Sequence, residues 1–284
     1  MLKHLLRGGG SGLEGDSWVA TLGGSASDPG ESVAVAPDGS VYVCGTTESA
    51  GAGKQDLLLV KFSSSGTLQW QKTLGGSYND SGRSVAVAPD GSVYFCGETG
   101  SAFSGQGYVD FLLAKFSSSG TLQWQKIFGG SLSDSASSVA VAPDGSVYVC
   151  GRIKSVNAGS WDFLLAKFSS SGTVQWQKTL GGSSWDAAGS VAVAPDGSVY
   201  VCGSTASAGA GSYDFLLAKI TDSLIEQDTV TFGSFIFQNV SLTLKNVSFK
   251  STSSSLPVYN AGLTVTTPSL TVGTSSLTTN LYTL

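Results

Sequence analysis

The sequence has little charge, one histidine and one methionine among its 284 residues. Charged residues make up 12% of the chain, against a usual fraction of about 25%. The single histidine, His4, argues against His-based catalysis and His-ligated metal sites. Net charge is −5, so the basic surface expected of a nucleic-acid-binding protein is absent. No run approaches the ~18 apolar residues of a membrane span.

What the chain does contain is 38 glycines and 41% hydrophobic residues, enough apolar material for a core. A single methionine and few leucine-rich helical stretches argue against a helical bundle. This composition predicts a soluble all-β protein that is not an enzyme.

The first 16 residues are predicted to form a flexible tail with a Gly/Ser hinge. A secretory signal needs an uninterrupted apolar region of about 7–15 residues, and Lys3, His4 and Arg7 interrupt this one. We therefore expect no classical signal peptide. The alternative interpretation of the tail is a short basic amphipathic peptide that docks on a partner.

Internal repeats dominate residues 17–221. The segment Ser-Val-Ala-Val-Ala-Pro-Asp-Gly-Ser-Val-Tyr begins at Ser32, Ser84, Ser138 and Ser190. A tryptophan recurs at positions 18, 70, 124 and 176, spaced by 52, 54 and 52 residues.

The first repeat predicts four short strands, and the Pro-Asp-Gly sequence predicts a tight turn after the first of them. Those predicted strands are Val33–Ala36, Val41–Cys44, Leu57–Phe62 and Thr67–Leu74. Four strands in about 50 residues, repeated, indicate the blades of a β-propeller.

The repeated Val-Ala-Val-Ala-Pro-Asp-Gly-Ser-Val-Tyr-Val-Cys-Gly sequence resembles a short β-propeller repeat family of bacterial and archaeal surface proteins. That family is named for a supposed seven blades. This chain differs from it in having four copies of the repeat and a cysteine in the second strand of each copy. Most of its members have no assigned function. The resemblance therefore implies the fold and little about activity.

The ends of the repeat array predict how it closes. The fourth copy stops after Asp214–Ile220 without its tryptophan strand, while the chain begins with an unattached one, Ser17–Leu22. Pairing these two strands removes two open sheet edges. We therefore predict a four-bladed β-propeller closed by the N-terminal strand. The alternative is an open array that closes only in an oligomer.

Cysteines and lysines recur at fixed positions of the repeat. Because equivalent positions in separate blades lie too far apart for a disulfide, we predict four free, buried thiols. These are Cys44, Cys96, Cys150 and Cys202. The lysines are expected on solvated outer positions, where they discourage edge pairing. They are Lys61, Lys115, Lys167 and Lys219, with Lys72, Lys126 and Lys178 beside the tryptophans.

One loop face of the propeller carries the candidate site residues. Two aspartate sets lie there, one entering the first strands and one beginning the third. The first set is Asp28, Asp80, Asp134 and Asp186, and the second is Asp56, Asp110, Asp162 and Asp214. The first set gives weak calcium candidates, although capping of loop N–H groups explains them equally. No other cofactor or metal is predicted.

Aromatic residues in the variable loops of the same face are the candidate ligand-binding set. They are Tyr78, Tyr108, Trp161, Trp185 and Tyr213. A glycan or a protein would suit such a surface, while the alternative is that these side chains only cover the blade ends.

Composition changes in residues 222–284, where Ser and Thr exceed a third of the segment. Leu-Thr-Val or Leu-Thr-Thr recurs every seven residues from Leu263, Leu270 and Leu277. These units resemble the β-stalks of viral fibres and spikes. We predict a β-rich assembly or anchoring domain that packs against other copies, surface-assembly proteins or the propeller. A small appended β-sandwich is the alternative.

Function follows less directly than fold. The first hypothesis is a non-enzymatic structural protein at a virion surface, a spike, fibre or decoration component contacting a host or partner. The second is a secreted adhesin or surface module that binds carbohydrate or protein. The least favoured is a carbohydrate-active enzyme, because every candidate carboxylate is a repeat position and no pair stands apart. The expected location is the virion surface or the extracellular space.

Overall fold

The computed structural model describes most of the repeat region and short pieces on either side of it. The described residues are 6–7, 18–100, 109–154, 160–208, 212–226, 229–232, 235–239, 243–245, 252–253 and 258–259. They are almost entirely β-structure, as the composition predicted. One short helix, α1 (Asp222–Ile225), follows the last repeat. No helix in this described part is long and apolar enough to cross a membrane.

Four antiparallel sheets follow one another along the chain, and we number them blades 1 to 4. Three short strands precede them: β1 (Leu6–Arg7), β2 (Trp18–Val19) and β3 (Thr21–Leu22). Blade 1 contains β4 (Gly30–Val35), β5 (Val41–Thr47), β6 (Asp56–Phe62) and β7 (Leu68–Leu74). Blade 2 contains β8 (Asp80–Val87), β9 (Val93–Thr99), β10 (Asp110–Phe116) and β11 (Leu122–Gly129). Blade 3 contains β12 (Asp134–Val141), β13 (Val147–Ile153), β14 (Asp162–Phe168) and β15 (Val174–Gly181). Blade 4 has three strands: β16 (Asp186–Val193), β17 (Val199–Thr205) and β18 (Asp214–Ile220).

The Pro-Asp-Gly turns form as the sequence predicts. In blade 1, Gly39 N–H donates to the carbonyl of Ala36 at 2.9 Å, and Gly39 has a φ of 79°, which glycine adopts without steric cost. The Asp38 carboxylate accepts the N–H of Ser40 at 2.8 Å. This side-chain bond is the local reason that aspartate suits the position.

Apolar cores lie between consecutive blades. Between blades 2 and 3, Phe111 and Phe128 pack with Leu164 and Phe168, all of them fully buried. Equivalent clusters join blade 1 to blade 2 and blade 3 to blade 4. The third strands of blades 1 to 3 are covered on both faces, and each contains a continuous apolar run.

The two ends of the blade series are open. Among the described residues no strand pairs with the outer edge of β18, and β2 and β3 pair with other strands. Phe215 of β18 is 76% exposed, whereas its counterpart in blade 3, Phe163, is 2% exposed. The predicted pairing of the N-terminal strand with the last blade is therefore not present in this structure. Instead Trp18 packs against Phe62 of blade 1, with ring centroids 5.8 Å apart.

The C-terminal segment adds strands to the blades. Its strands are β19 (Thr229–Phe232), β20 (Phe235–Asn239), β21 (Thr243–Lys245), β22 (Thr252–Ser253) and β23 (Val258–Tyr259). In chain order, β20 pairs with β15, β21 with β11, β22 with β7 and β23 with β3. The segment thus passes the outer edges of blades 3, 2 and 1 in reverse order, and those edges gain backbone partners.

The described strands of residues 222–284 therefore extend the blades. The seven-residue repeats from Leu263 onward, which carry the resemblance to viral stalks, lie outside the described residues.

The four cysteines are free, as predicted. Cys44, Cys96 and Cys150 are also buried between blades. The prediction of burial is wrong for Cys202, which is partly exposed on the open side of blade 4, where no further blade covers it. The expectation of solvated lysines is wrong for Lys61 and Lys178, which are 8% and 1% exposed. Lys219 is exposed, as expected. The Lys61 ammonium group donates to the carbonyl of Ser118 in the next blade at 3.2 Å, so this lysine joins two blades rather than facing solvent.

Candidate binding face

Backbone hydrogen bonds hold the loops of adjacent blades together on one face. The N–H of Asp80, which begins blade 2, donates to the carbonyl of Gln55 in blade 1 at 2.9 Å. Asp134 and Asp186 repeat this bond at 2.7 Å, to Val109 and Trp161. The loops entering the first strands and the loops preceding the third strands therefore lie side by side. We call this surface the loop face.

The first aspartate set caps the loops that enter each blade. Asp28, Asp80, Asp134 and Asp186 each accept the N–H of the glycine four residues earlier, at 2.7–2.9 Å. Asp28 also accepts the hydroxyls of Thr47 and Ser49. Burial raises the pKa of Asp28, but the hydrogen bonds from Thr47, Gly24 and Ser49 outweigh it and lower the pKa below its usual value.

The second set places a carboxylate beside one of the first set at two blade junctions. A Cβ atom on Gly75 would lie 2.1 Å from Oδ1 of Asp56 and 2.7 Å from Oδ2 of Asp80, so both carboxylates face this glycine. Asp110 and Asp134 are arranged likewise around Gly129.

Oδ2 of Asp56 accepts the N–H groups of Ala52 and Gly53 at 3.0 and 3.1 Å. Burial and the neighbouring charge of Asp80 raise the pKa of Asp56.

These contacts account for the first set and for Asp56 as loop caps. In the described part of the chain, no group of three or more His, Cys, Asp or Glu side chains is arranged to hold a metal ion. Calcium binding by Asp28, Asp80, Asp134 and Asp186 stays a prediction.

Two of the predicted aromatic residues contact each other on the loop face. The rings of Trp185 and Tyr213 meet edge to face, with centroids 5.1 Å apart and planes at 83°. Tyr213 is 63% exposed. The carbonyl of Trp185 accepts the N–H of Ala206 at 2.7 Å, which fixes its loop to the end of β17. The pair therefore presents apolar area to solvent from an anchored backbone.

Trp161 lies at the same junction as Trp185, because its carbonyl accepts the N–H of Asp186. The Arg152 guanidinium lies 4.7 Å from the centre of the Trp161 ring, and the Lys154 ammonium group lies 5.9 Å from it. Two cations thus approach one indole ring.

Sequence reasoning missed Arg152 and Lys154. The only signal was their departure from the repeat, since Thr46, Glu98 and Ser204 stand where blade 3 has Arg152.

Tyr78 is not part of this group. Tyr78 lies at the junction of blades 1 and 2 and is 40% exposed. Tyr108 lies outside the described residues. The structure therefore brings two of the five candidates, Trp185 and Tyr213, into contact. Trp161 is joined to the same loop by the backbone bond to Asp186.

Comparisons with known proteins agree with the repeat fold. A family model described as a domain of unknown function (DUF5122) beta-propeller matches residues 36–68 and 142–174. These matches fall on equivalent parts of blades 1 and 3, and they support β-propeller repeats in this chain.

One curated relative is the regulatory protein FlaEY of Caulobacter vibrioides, 32% identical over 199 residues. The alignment covers 59% of this chain and 21% of FlaEY, so the chain spans about a fifth of that relative's length. Among solved structures, a protein of unknown function from Bacteroides caccae aligns with a TM-score of 0.39 and 11% identity. That alignment covers 72% of this chain and 64% of the other.

Proposed function

We propose that this chain is a non-enzymatic surface protein that binds a carbohydrate through its loop face at the junction of blades 3 and 4. The observation that carries the proposal is the edge-to-face pair of Trp185 and Tyr213, with Tyr213 63% exposed. Aromatic faces stack on the apolar side of sugar rings and lose little conformational entropy on binding. The adjacent Trp161 and its two cations extend the same surface.

The aspartates of the loop face suit ligand recognition rather than catalysis. The described carboxylates of the first set accept loop N–H groups. A glycosidase needs two carboxyl groups on opposite sides of the scissile bond, whereas Asp56 and Asp80 face one glycine from within a buried junction.

The test is a glycan array followed by titration calorimetry of any glycan that binds. We expect Trp185→Ala and Tyr213→Ala each to weaken binding by about tenfold or more, the loss of roughly 1.4 kcal/mol or greater. Tyr78→Ala, an exposed aromatic at a different junction, is the matched control and should leave binding unchanged. Equal loss in all three variants would contradict a site at this junction. If the chain bound a protein and no glycan, the proposed ligand would be a protein instead of a carbohydrate.

A virion-surface or extracellular location for this module stays a prediction. It rests on the resemblance of residues 222–284 to viral stalks, and the described strands of that segment lie along blade edges. The proposed binding site does not depend on this location.

Ring closure through the N-terminal strand also stays a prediction, and the register of blade 3 shows how it would occur. There Lys167 pairs with Trp176 and Phe163 with Leu180. The same register would pair Lys219 with Trp18 and Phe215 with Leu22. The blade 4 that receives this strand belongs either to the same chain, as the sequence analysis favours, or to another copy.

A further inference from the structure

Each junction between consecutive blades uses the same apolar contact. Leu57, Phe111 and Phe163, each from a third strand, project into the next blade beside a second-strand glycine: Gly97, Gly151 and Gly203. A Cβ atom on these glycines would lie 2.8–2.9 Å from the projecting side chain. The projecting residues are 0–2% exposed. The contact is therefore a projection on one blade and a matching recess on the next.

The junctions also repeat two polar contacts. The Ser32, Ser84 and Ser138 hydroxyls accept the N–H groups of Val85, Val139 and Val191 in the next blade, each at 3.3 Å. In addition, a lysine and a tryptophan of one blade donate to a single serine carbonyl of the next. Lys61 and Trp70 share Ser118 in this way, and Lys115 and Trp124 share Ser170.

The free face of blade 4 carries the projecting half of this junction. Phe215 and Leu217 are 76% and 59% exposed, whereas Phe163 and Leu165 at the same positions of blade 3 are 2% and 4% exposed. Ser190, the counterpart of the accepting serines, is exposed as well. So is Lys219, the counterpart of Lys61.

The free face of blade 1 carries the recess. Val33 is 63% exposed, whereas Val85 at the same position of blade 2 is 5% exposed. Beside Gly45, the counterpart of Gly97, lies a cavity of about 240 Å³ that Val43, Leu58 and Val60 also line. Trp18 already donates to the carbonyl of Ser64 at 3.0 Å, the bond that Trp70 makes to Ser118. The two open faces are therefore complementary halves of an interface that the chain already builds three times.

We propose that a second copy of this chain occupies both faces, so that two chains form one closed ring. Blade 4 of each copy would pack on blade 1 of the other, and β2–β3 would complete the partner's blade 4 as its fourth strand. Three similar junctions impose a similar rotation from blade to blade, and after four blades the described series is still open. Two copies related by a two-fold axis close such a series, and eight blades lie within the range of known propellers.

Closure within one chain is the competing outcome. It would require a fourth junction that brings blade 4 onto blade 1, and therefore a sharper rotation at every junction. The buried Leu57–Gly97, Phe111–Gly151 and Phe163–Gly203 contacts resist that change, because backbone oxygens also lie close to these glycines.

The experiment measures mass and thiol exposure together on the full chain. Light scattering should give twice the 28.9 kDa mass of one chain at micromolar concentration, with dissociation on dilution. In the two-chain species, Cys202 should be protected from a thiol reagent by the partner's blade 1. The double variant Phe215→Asp, Leu217→Asp should give the mass of one chain, and its Cys202 should react at least about tenfold faster.

Two checks keep these results interpretable. Both substituted side chains are more than half exposed, so the fold should survive, with an unchanged circular dichroism spectrum and continued protection of Cys44, Cys96 and Cys150. Tyr78→Ala, an exposed aromatic away from both faces, should keep the two-chain mass.

Each contrary result overturns the proposal. A one-chain mass with protected Cys202 means closure within the chain, and a one-chain mass with reactive Cys202 means an open series. A mass above two chains means head-to-tail association that does not close at two copies. Two-chain mass retained in the aspartate variant means association through another surface.

Discussion

The indole N–H of Trp18 donates to the main-chain oxygen of Ser64 at 3.0 Å, although the two residues are 46 positions apart. The ring also packs on Phe62, and β3 leads directly toward blade 1. The N-terminal strand is thus attached to the blade that follows it in the sequence.

Replacing Trp18 tests that attachment. Trp18→Ala removes both the ring contact and the hydrogen bond, and we expect it to lower the free energy of unfolding by about 1–3 kcal/mol, since the side chain is only partly buried. Trp18→Phe keeps an aromatic ring against Phe62 and loses only the donor, so it should cost about 1 kcal/mol. Urea unfolding followed by fluorescence measures both. Equal stability of the three proteins would show that β2 contributes nothing to blade 1.

The glycine in the middle of the second strand of blade 3, Gly151, should not tolerate a larger residue. In Gly151→Ala the new Cβ would lie 2.0 Å from the carbonyl oxygen of Ser135 and 2.8 Å from the ring of Phe111. The strand backbone is held on both sides and cannot shift to make room for the added Cβ. We therefore expect the free energy of unfolding to fall by about 3 kcal/mol or more, the upper end for overpacking.

The matched control is Gly197→Ala, where no atom lies within 4 Å of the added Cβ and only the positive φ of 84° is strained. It should cost about 1 kcal/mol. A Gly151→Ala protein as stable as the control would contradict the close approach.

Local features of the fold were predictable from sequence because their causes are local. The Pro-Asp-Gly turns follow from one carboxylate and one glycine, and the four-strand repeat follows from apolar runs between such turns. Burial was not predictable in the same way. Val33 and Val85 lie in the same sequence context, yet they are 63% and 5% exposed, because only Val85 has a preceding blade packed against it.

The burial of Lys61 and the contact between Trp185 and Tyr213 were also not predictable from the sequence. Lys61 stands at the end of an apolar strand, and only the next blade supplies the Ser118 carbonyl that it reaches. On the loop face, repeat position was enough to assign Trp185 and Tyr213 to one surface. Their contact depends on side-chain directions in two loops that the repeat does not specify.

The paired carboxylates predict a stability change with an unusual sign. Burial and the charge of Asp80 raise the pKa of Asp56, so its charged form destabilises the folded chain near neutral pH. As pH falls through that raised pKa, Asp56 takes up a proton and the cost disappears. Asp56→Asn, which keeps an oxygen acceptor for Ala52 and Gly53, should therefore be more stable than the natural protein at pH 7. The difference should vanish in acid, as measured by urea unfolding at pH 3–8.

Asp144 provides the opposite case and the control. Its hydrogen bonds from the Ser146 N–H and hydroxyl, with the Lys167 charge nearby, lower its pKa although burial opposes them. The stability it contributes is present above the ordinary aspartate pKa and is lost as pH falls through the lowered value. Asp144→Asn should therefore be less stable at pH 7, by about 0.5 kcal/mol because solvent screens this exposed carboxylate, and equal to the natural protein in strong acid. If both variants shifted stability in the same direction at pH 7, the assigned charge environments would be wrong.

The buried thiols should be chemically silent in the folded chain. Burial raises the pKa of Cys44 to about 12, with the Glu31 charge adding to it. Burial likewise raises the pKa of Cys96 and of Cys150. A thiol with a pKa near 12 is ionised in only about one molecule in 10⁵ at pH 7, and the thiolate is the reactive form. We therefore expect iodoacetamide at pH 7.5 to leave Cys44, Cys96 and Cys150 unmodified for hours, as measured by peptide mass spectrometry.

The denatured chain is the control, and it should be modified at all four cysteines within minutes. Modification of Cys96 in folded protein at a rate near that of denatured chain would mean that blades 2 and 3 separate readily, because Cys96 lies in the core that joins them.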